Sequence, residues 1–140
     1  LAHELGHQRF RHITWFLALS TLGSALAFWL IDRAARWWVP ALGVDGLADP
    51  AGLPALFLAL SALSLLGLPL QNGISRAVEG QSDRCAVWLT RQPQAFASAL
   101  RKLAALNLAD PAPPAWVEWL FFDHPAIAKR IAAAERAPGP

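Results

Sequence analysis

Two long apolar runs dominate the chain's pattern of hydrophobic and polar positions. Residues 13–31 hold 19 consecutive residues without a charge, and residues 53–70 hold another 18. At about 1.5 Å of rise per residue, each run reaches close to the ~30 Å hydrocarbon core of a bilayer. Both are predicted to be transmembrane helices, in an all-α integral membrane protein. The first run is longer than the apolar core of a signal peptide, and a second run follows it, so a cleaved leader is the poorer reading. Trp29, Trp37 and Trp38 near its far end suit an interfacial aromatic belt, although buried packing is an equally ordinary use of tryptophan. A buried hairpin in a soluble protein is the alternative.

Two crossings return a chain to the side it left, so the polar segments 1–12 and 71–140 are expected on one side of the membrane. The loop predicted at 32–52 carries Arg33 and Arg36 against Asp32, Asp45 and Asp49. The segment from Leu70 to Asp110 carries Arg76, Arg84, Arg91, Arg101 and Lys102 against Glu79, Asp83 and Asp110. The excess of cations places that side in the cytoplasm. Segment 71–140 reads as a small soluble helical lobe. Phe96, Leu100 and Leu103 recur at helical spacing after Pro93, with Arg101 and Lys102 on the other face. The prolines within 107–114 mark a loop. Trp116, Trp119, Leu120, Phe121 and Phe122 form an aromatic patch read first as core, with a membrane-interface contact or a substrate-groove wall as alternatives. Asp123-His124-Pro125 is expected to open a final helix with Ile127 and Ile131 facing inward.

Composition sharpens this picture. Over the 140 residues, 55% are hydrophobic and the mean hydropathy is +0.33, too apolar for an ordinary soluble domain. The net charge of +2 is small and its basic residues are scattered, which leaves no footprint for nucleic acid. The one cysteine, Cys85, excludes an internal disulfide and is expected to be a small buried side chain. The chain has no Met and opens inside a motif, so it is read as a fragment or trimmed chain whose helix leading into His3 has been cut away.

That opening motif, His3-Glu4-Leu5-Gly6-His7, carries the candidate chemistry. On a helix, residues four apart share a face, so both imidazoles of HExxH can meet one zinc ion with Glu4 beside its open position. A third ligand comes either from a His in HExxHxxGxxH or from a Glu on a later helix. The residues after His7 lack the first spacing. Glu79 offers the second, and Asp83, one turn further on, could accept the N–H of a ligating His. Read alone, ExxxD is as easily a solvated helix face paired with Arg76 and Arg84. A rival use of the same residues is a non-catalytic membrane module in which zinc staples two helices, with His12 as a possible fourth ligand. A soluble zinc peptidase with an apolar core is a second rival.

HELGH, SRxxExxxD and a late DHPxxxxR stand in this order across essentially the whole chain, with the two apolar runs between the first two. The combination resembles the membrane-embedded zinc endopeptidases of the type I CaaX prenyl protease family, bacterial relatives included, over that family's C-terminal half. The resemblance implies one zinc ion on His3, His7 and Glu79, with Glu4 as catalytic base. It carries Asp83 over as partner to a ligating His, and His124 and Arg130 as groups facing the substrate or the developing oxyanion. Ser82 departs from the Ala usual before that Asp. The implied activity is cleavage of prenylated CaaX-type or other membrane-associated polypeptides by a multi-pass membrane protein with further membrane helices upstream of Leu1, and the Ala-, Leu- and Arg-rich composition looks bacterial.

Overall fold

The computed structural model describes residues 1–46, 49–108 and 110–137. Six α-helices account for most of them: α1 (Ala2–Arg9), α2 (His12–Ala41), α3 (Leu53–Thr90), α4 (Pro93–Leu106), α5 (Ala115–Phe121) and α6 (Ile127–Glu135). A single 3-10 turn, Pro50–Gly52, precedes α3, and no strand occurs among the described residues. The chain divides into two compact units, one made of Leu1–Ile13 with Leu68–Pro140, the other of Thr14–Gly67.

The Thr14–Gly67 unit contains both apolar runs. Their most apolar stretches bury none of their residues, and both helices are long and apolar enough to cross a membrane. Side chains such as Trp15, Leu22 and Leu66 stand outward, the reverse of a soluble hairpin, whose apolar face would be covered. Ser20 and Thr21 donate their hydroxyls to Leu17 O at 3.1 and 2.8 Å, so neither asks for water inside an apolar segment. Among the described residues, the buried aliphatic side chains of this unit are Ile31, Ala35 and Val39, spaced one turn apart. The first helix runs ten residues past the end of its apolar run, through half of the expected 32–52 loop. Asp32 and Arg36 end the hydrophobicity without ending the helix, because they pair across one turn at 3.8 Å. The chain leaves helical geometry at Gly43, whose φ of +65° suits a residue without a side chain.

α3 is continuous through the second apolar run and the ExxxD segment. It ends where Arg91 takes a φ of +52° and donates its N–H to Val87 O at 2.8 Å; Pro93 then opens α4. In the lobe, α4 packs on α6 through Ala97, Leu100 and Ala134, with Arg101 paired to Glu135 across the pair. Leu103, expected inward with Leu100, is half exposed. The aromatic patch is not core: Trp116, Trp119 and Phe121 stand outward on α5, while Glu118 takes the buried position. A charged residue can do so because Glu118 accepts from Ala126 N at 3.0 Å and from Lys129 Nζ. The last helix begins at Ile127 rather than at the Asp-His-Pro segment, which forms a bend before it. Cys85 is half-buried.

Candidate metal centre

α1 places its polar residues where the helix dipole favours them, Glu4 in the first turn and His7 and Arg9 in the last. It ends because Arg11 adopts φ +55°, and α2 starts at His12. Gly6 is buried against α3, where a Cβ would stand 3.0 Å from Ser82 Cα. The absence of a side chain at residue 6 thus lets two backbones approach closely enough for His3 and His7 to reach the face of α3 that carries Glu79 and Asp83.

The three donors expected from sequence converge. His3 Nε2 and His7 Nε2 are 3.1 Å apart, His3 Nε2 is 3.3 Å from Glu79 Oε2, and His7 Nε2 is 3.4 Å from Glu79 Oε1. Donors bound tetrahedrally to zinc at roughly 2.0–2.1 Å stand about 3.3 Å from one another, so the triad matches the edges of such a site. Glu79 Oε2 is buried without a hydrogen-bond donor, an unsatisfied acceptor that a cation would satisfy. The residues therefore fit a zinc ion. Among the described residues, His3, His7 and Glu79 are the group able to share a metal.

Around the triad, Asp83 Oδ1 lies 2.9 Å from His3 Nδ1, although the ring N–H points off the oxygen's axis and leaves that nitrogen without a well-formed hydrogen bond. Arg130 grips Asp83 with a two-pronged bond, Nε to Oδ2 and Nη2 to Oδ1, both 2.7 Å. The Arg130 guanidinium is buried, and beyond this bond to Asp83 it holds one nitrogen 3.7 Å from Glu79 Oε2. His124 does face the open side. Half exposed, it holds Nε2 3.4 Å from Glu79 Oε2 and Nδ1 2.8 Å from Asp123 Oδ1. Glu4 is exposed, as a group that exchanges protons with water must be. His12 does not join the triad. It is buried behind His7, with Nδ1 3.1 Å from His7 Nδ1 and Nε2 3.0 Å from Gln81 Oε1.

The charges are mutually adjusted. Contact with Asp83, and then with Glu79, raises the His3 imidazole from 6.5 to about 9, whereas burial lowers that of His7. Burial alone would raise both carboxyls, but contact with His3, supported by the charge of Arg130, holds Glu79 and Asp83 below the ordinary carboxylate range. Asp123 is held low by its bond to His124.

Sequence reasoning missed several supporting groups. Arg76 donates to Glu118 O at 2.9 Å and to Phe122 O at 2.5 Å, closing the C-terminus of α5 just before His124. Asn72 Nδ2 donates to Leu120 O at 2.6 Å in the same segment. The Arg of SRxxE could have been singled out by its motif, but its carbonyl partners lie more than 40 residues away and leave no local signal.

Fold and donor set together define an all-helical membrane protein with a His-His-Glu triad shared between an HExxH helix and a later ExxxD helix. The profile of Peptidase family M48 matches residues 1–137, and the chain belongs to that family. It is 33% identical over 140 residues to the uncharacterized metalloprotease YhfN of Bacillus subtilis, covering 97% of this chain and 33% of that protein. It is also 33% identical over 147 residues to the protease HtpX homolog of Acaryochloris marina, covering 94% of this chain and 49% of the relative. The crystal structure of S. mikatae Ste24p superposes with a TM-score of 0.80 at 26% identity, over 96% of this chain and 35% of that one. The chain thus spans a third to a half of the length of these proteins.

Proposed function

We propose that this chain carries the catalytic centre of a zinc-dependent membrane endopeptidase, with His3, His7 and Glu79 as metal ligands and Glu4 as general base. The observation that carries this reading is the convergence of three donor atoms from two helices at mutual distances of 3.1–3.4 Å. When bound, zinc supplies Lewis acidity toward the scissile carbonyl and a water acidified to a pKa of about 7.

The chain's own residues do the rest. Glu4 accepts the proton of the attacking water and returns it to the leaving amine, a transfer typically worth 10²–10⁴-fold in rate. Asp123 orients the His124 ring through Nδ1, aiming Nε2 at the place where the oxyanion develops; a donor so placed is typically worth about 3 kcal/mol of barrier. Asp83, locked by Arg130, holds His3 from behind. Arg130 acts through Asp83 as a positioning residue.

The two apolar helices and the resemblance of the three motifs support a substrate presented at the membrane, either a membrane-associated polypeptide or a prenylated CaaX-type tail. The excess of Lys and Arg after residue 70 supports a cytoplasmic metal centre. A closed structural zinc site has less support, since its candidate fourth ligand, His12, has its ring nitrogens against His7 and Gln81. The test uses the full-length protein in detergent with a panel of prenylated and unprenylated peptides. Glu4→Gln should keep one zinc and lose cleavage by about 10²–10⁴-fold. Normal cleavage by that variant removes Glu4 as the base.

A further inference from the structure

His12 is an unexpected residue to find buried. It is 4% exposed, sits at the first position of α2, and belongs to none of the ligand positions. Its two ring nitrogens bridge a ligating His and a side chain of the facing helix. Nε2 is 3.0 Å from Gln81 Oε1, Nδ1 is 3.1 Å from His7 Nδ1, and Ser82 Oγ stands 3.4 Å from the same Nδ1.

Hydrogen-bond polarity turns this contact into a choice between two states. An amide oxygen only accepts, so His12 Nε2 carries the proton and donates to Gln81. A neutral His12 then has a lone pair on Nδ1. That lone pair accepts from His7 Nδ1–H, with the Ser82 hydroxyl as a second donor within reach. With its proton on Nδ1, His7 keeps the Nε2 lone pair that points at His3 Nε2 and Glu79. If the Gln81 amide turned over, its NH₂ would donate to His12 Nε2. The His12 proton would move to Nδ1 and donate to His7 Nδ1, and the His7 proton would sit on Nε2, where it blocks a cation. Only the first chain of hydrogen bonds leaves His7 able to ligate.

We propose that His12, oriented by Gln81, is a positioning residue that locks His7 in the metal-ready tautomer. This gives His7 the outer partner that Asp83 provides for His3, with a neutral imidazole where the other ligand has a carboxylate. Such partners of metal-bound His are typically worth 10–100-fold in metal affinity. The inference rests on the metal-centre reading above.

The test is zinc affinity of the full-length protein, measured by chelator competition, alongside the visible spectrum of the cobalt-substituted form. His12→Leu removes the acceptor and should weaken zinc by about 10–100-fold. His12→Asn restores an acceptor toward His7, with Oδ1 in the place of the lost Nδ1. It should recover affinity to within about threefold of the parent and return the parent cobalt spectrum. Gln81→Leu leaves the packing of His12 in place but frees its tautomer, so it should weaken zinc by at least about threefold, and it carries the test should His12→Leu fail to fold. Equal unfolding midpoints for the metal-free Leu and Asn variants, with unequal zinc affinity, separate tautomer control from packing. The proposal is overturned if His12→Leu, or Gln81→Leu in its place, binds zinc as tightly as the parent, or if His12→Asn is as weak as His12→Leu. A parent protein that binds no zinc contradicts the metal-centre reading instead.

Discussion

The two units differ in whether they bury polar groups. In Thr14–Gly67 the buried positions are aliphatic, Ile31, Ala35 and Val39, and large apolar side chains face outward. In the lobe, His12, Asn72, Glu79, Ser82, Asp83 and Glu118 are all buried, and their partners are the groups that build the site: Arg130 on Asp83, Lys129 on Glu118, Gln81 on His12. A hairpin in lipid gains little from packing apolar groups inside rather than outside, because the surroundings are as apolar as its own side chains. The lobe has no such freedom. Most of the polar groups it buries are paired, and that pairing holds His3, His7 and Glu79 together, with Glu79 Oε2 left as an acceptor without a donor.

Removing one partner from the lobe's buried network tests this contrast most severely. Arg130→Leu leaves buried Asp83 with His3 as its remaining partner, and should cost up to about 3–5 kcal/mol, read as a lowered unfolding midpoint of the metal-free protein. The double variant Arg130→Leu, Asp83→Leu should regain part of that loss; no regain would mean the cost came from packing. Leu100→Ala, in the covered contact between α4 and α6, should cost about 2–5 kcal/mol. Leu66→Ala, on the outward face of α3, should stay within about 0.5 kcal/mol in the same detergent. Equal losses at the two positions would break the contrast, by showing that protein rather than lipid covers Leu66.

A subtler effect comes from pH. With its pKa raised to about 9, the His3 ion pair stabilises the metal-free fold fully below the ordinary value of 6.5 and is lost as pH rises through about 9. Glu79 and Asp83 are shifted the other way, so their contribution is present above their ordinary values and lost as pH falls through their lowered ones. Zinc must displace the His3 proton, so its affinity should rise about tenfold per pH unit between about 7 and 9 and flatten above. A flat profile over that range would show that His3 binds zinc without losing a proton.

The helices and the triad were legible in the sequence because their signals are local: an 18- or 19-residue uncharged run, a four-residue spacing on one helix face, a paired Glu and Asp. Boundaries were less legible. The first helix continues past Asp32 because a charged pair one turn apart is as helical as the apolar run before it, and hydropathy does not register that. The aromatic patch was misread because Trp and Phe signal burial in general, whereas at α5 the buried place went to Glu118, whose partners come later in the chain. The motif names Arg130 but not its bond to Asp83, which spans 47 positions. His12 lay in view, five residues after His7, yet its bond to Gln81 spans 69 positions and only folding reveals it.

The central claim is that one cation draws His3, His7 and Glu79 together and keeps a position for water. Zinc-edge X-ray absorption on the full-length protein tests it directly, comparing the parent with Glu79→Ala. The account predicts one zinc per chain with two imidazoles, one carboxylate and one exchangeable oxygen in the parent, and a shell short of that carboxylate in the variant. A parent shell of four protein donors, or an identical shell in both proteins, would contradict it.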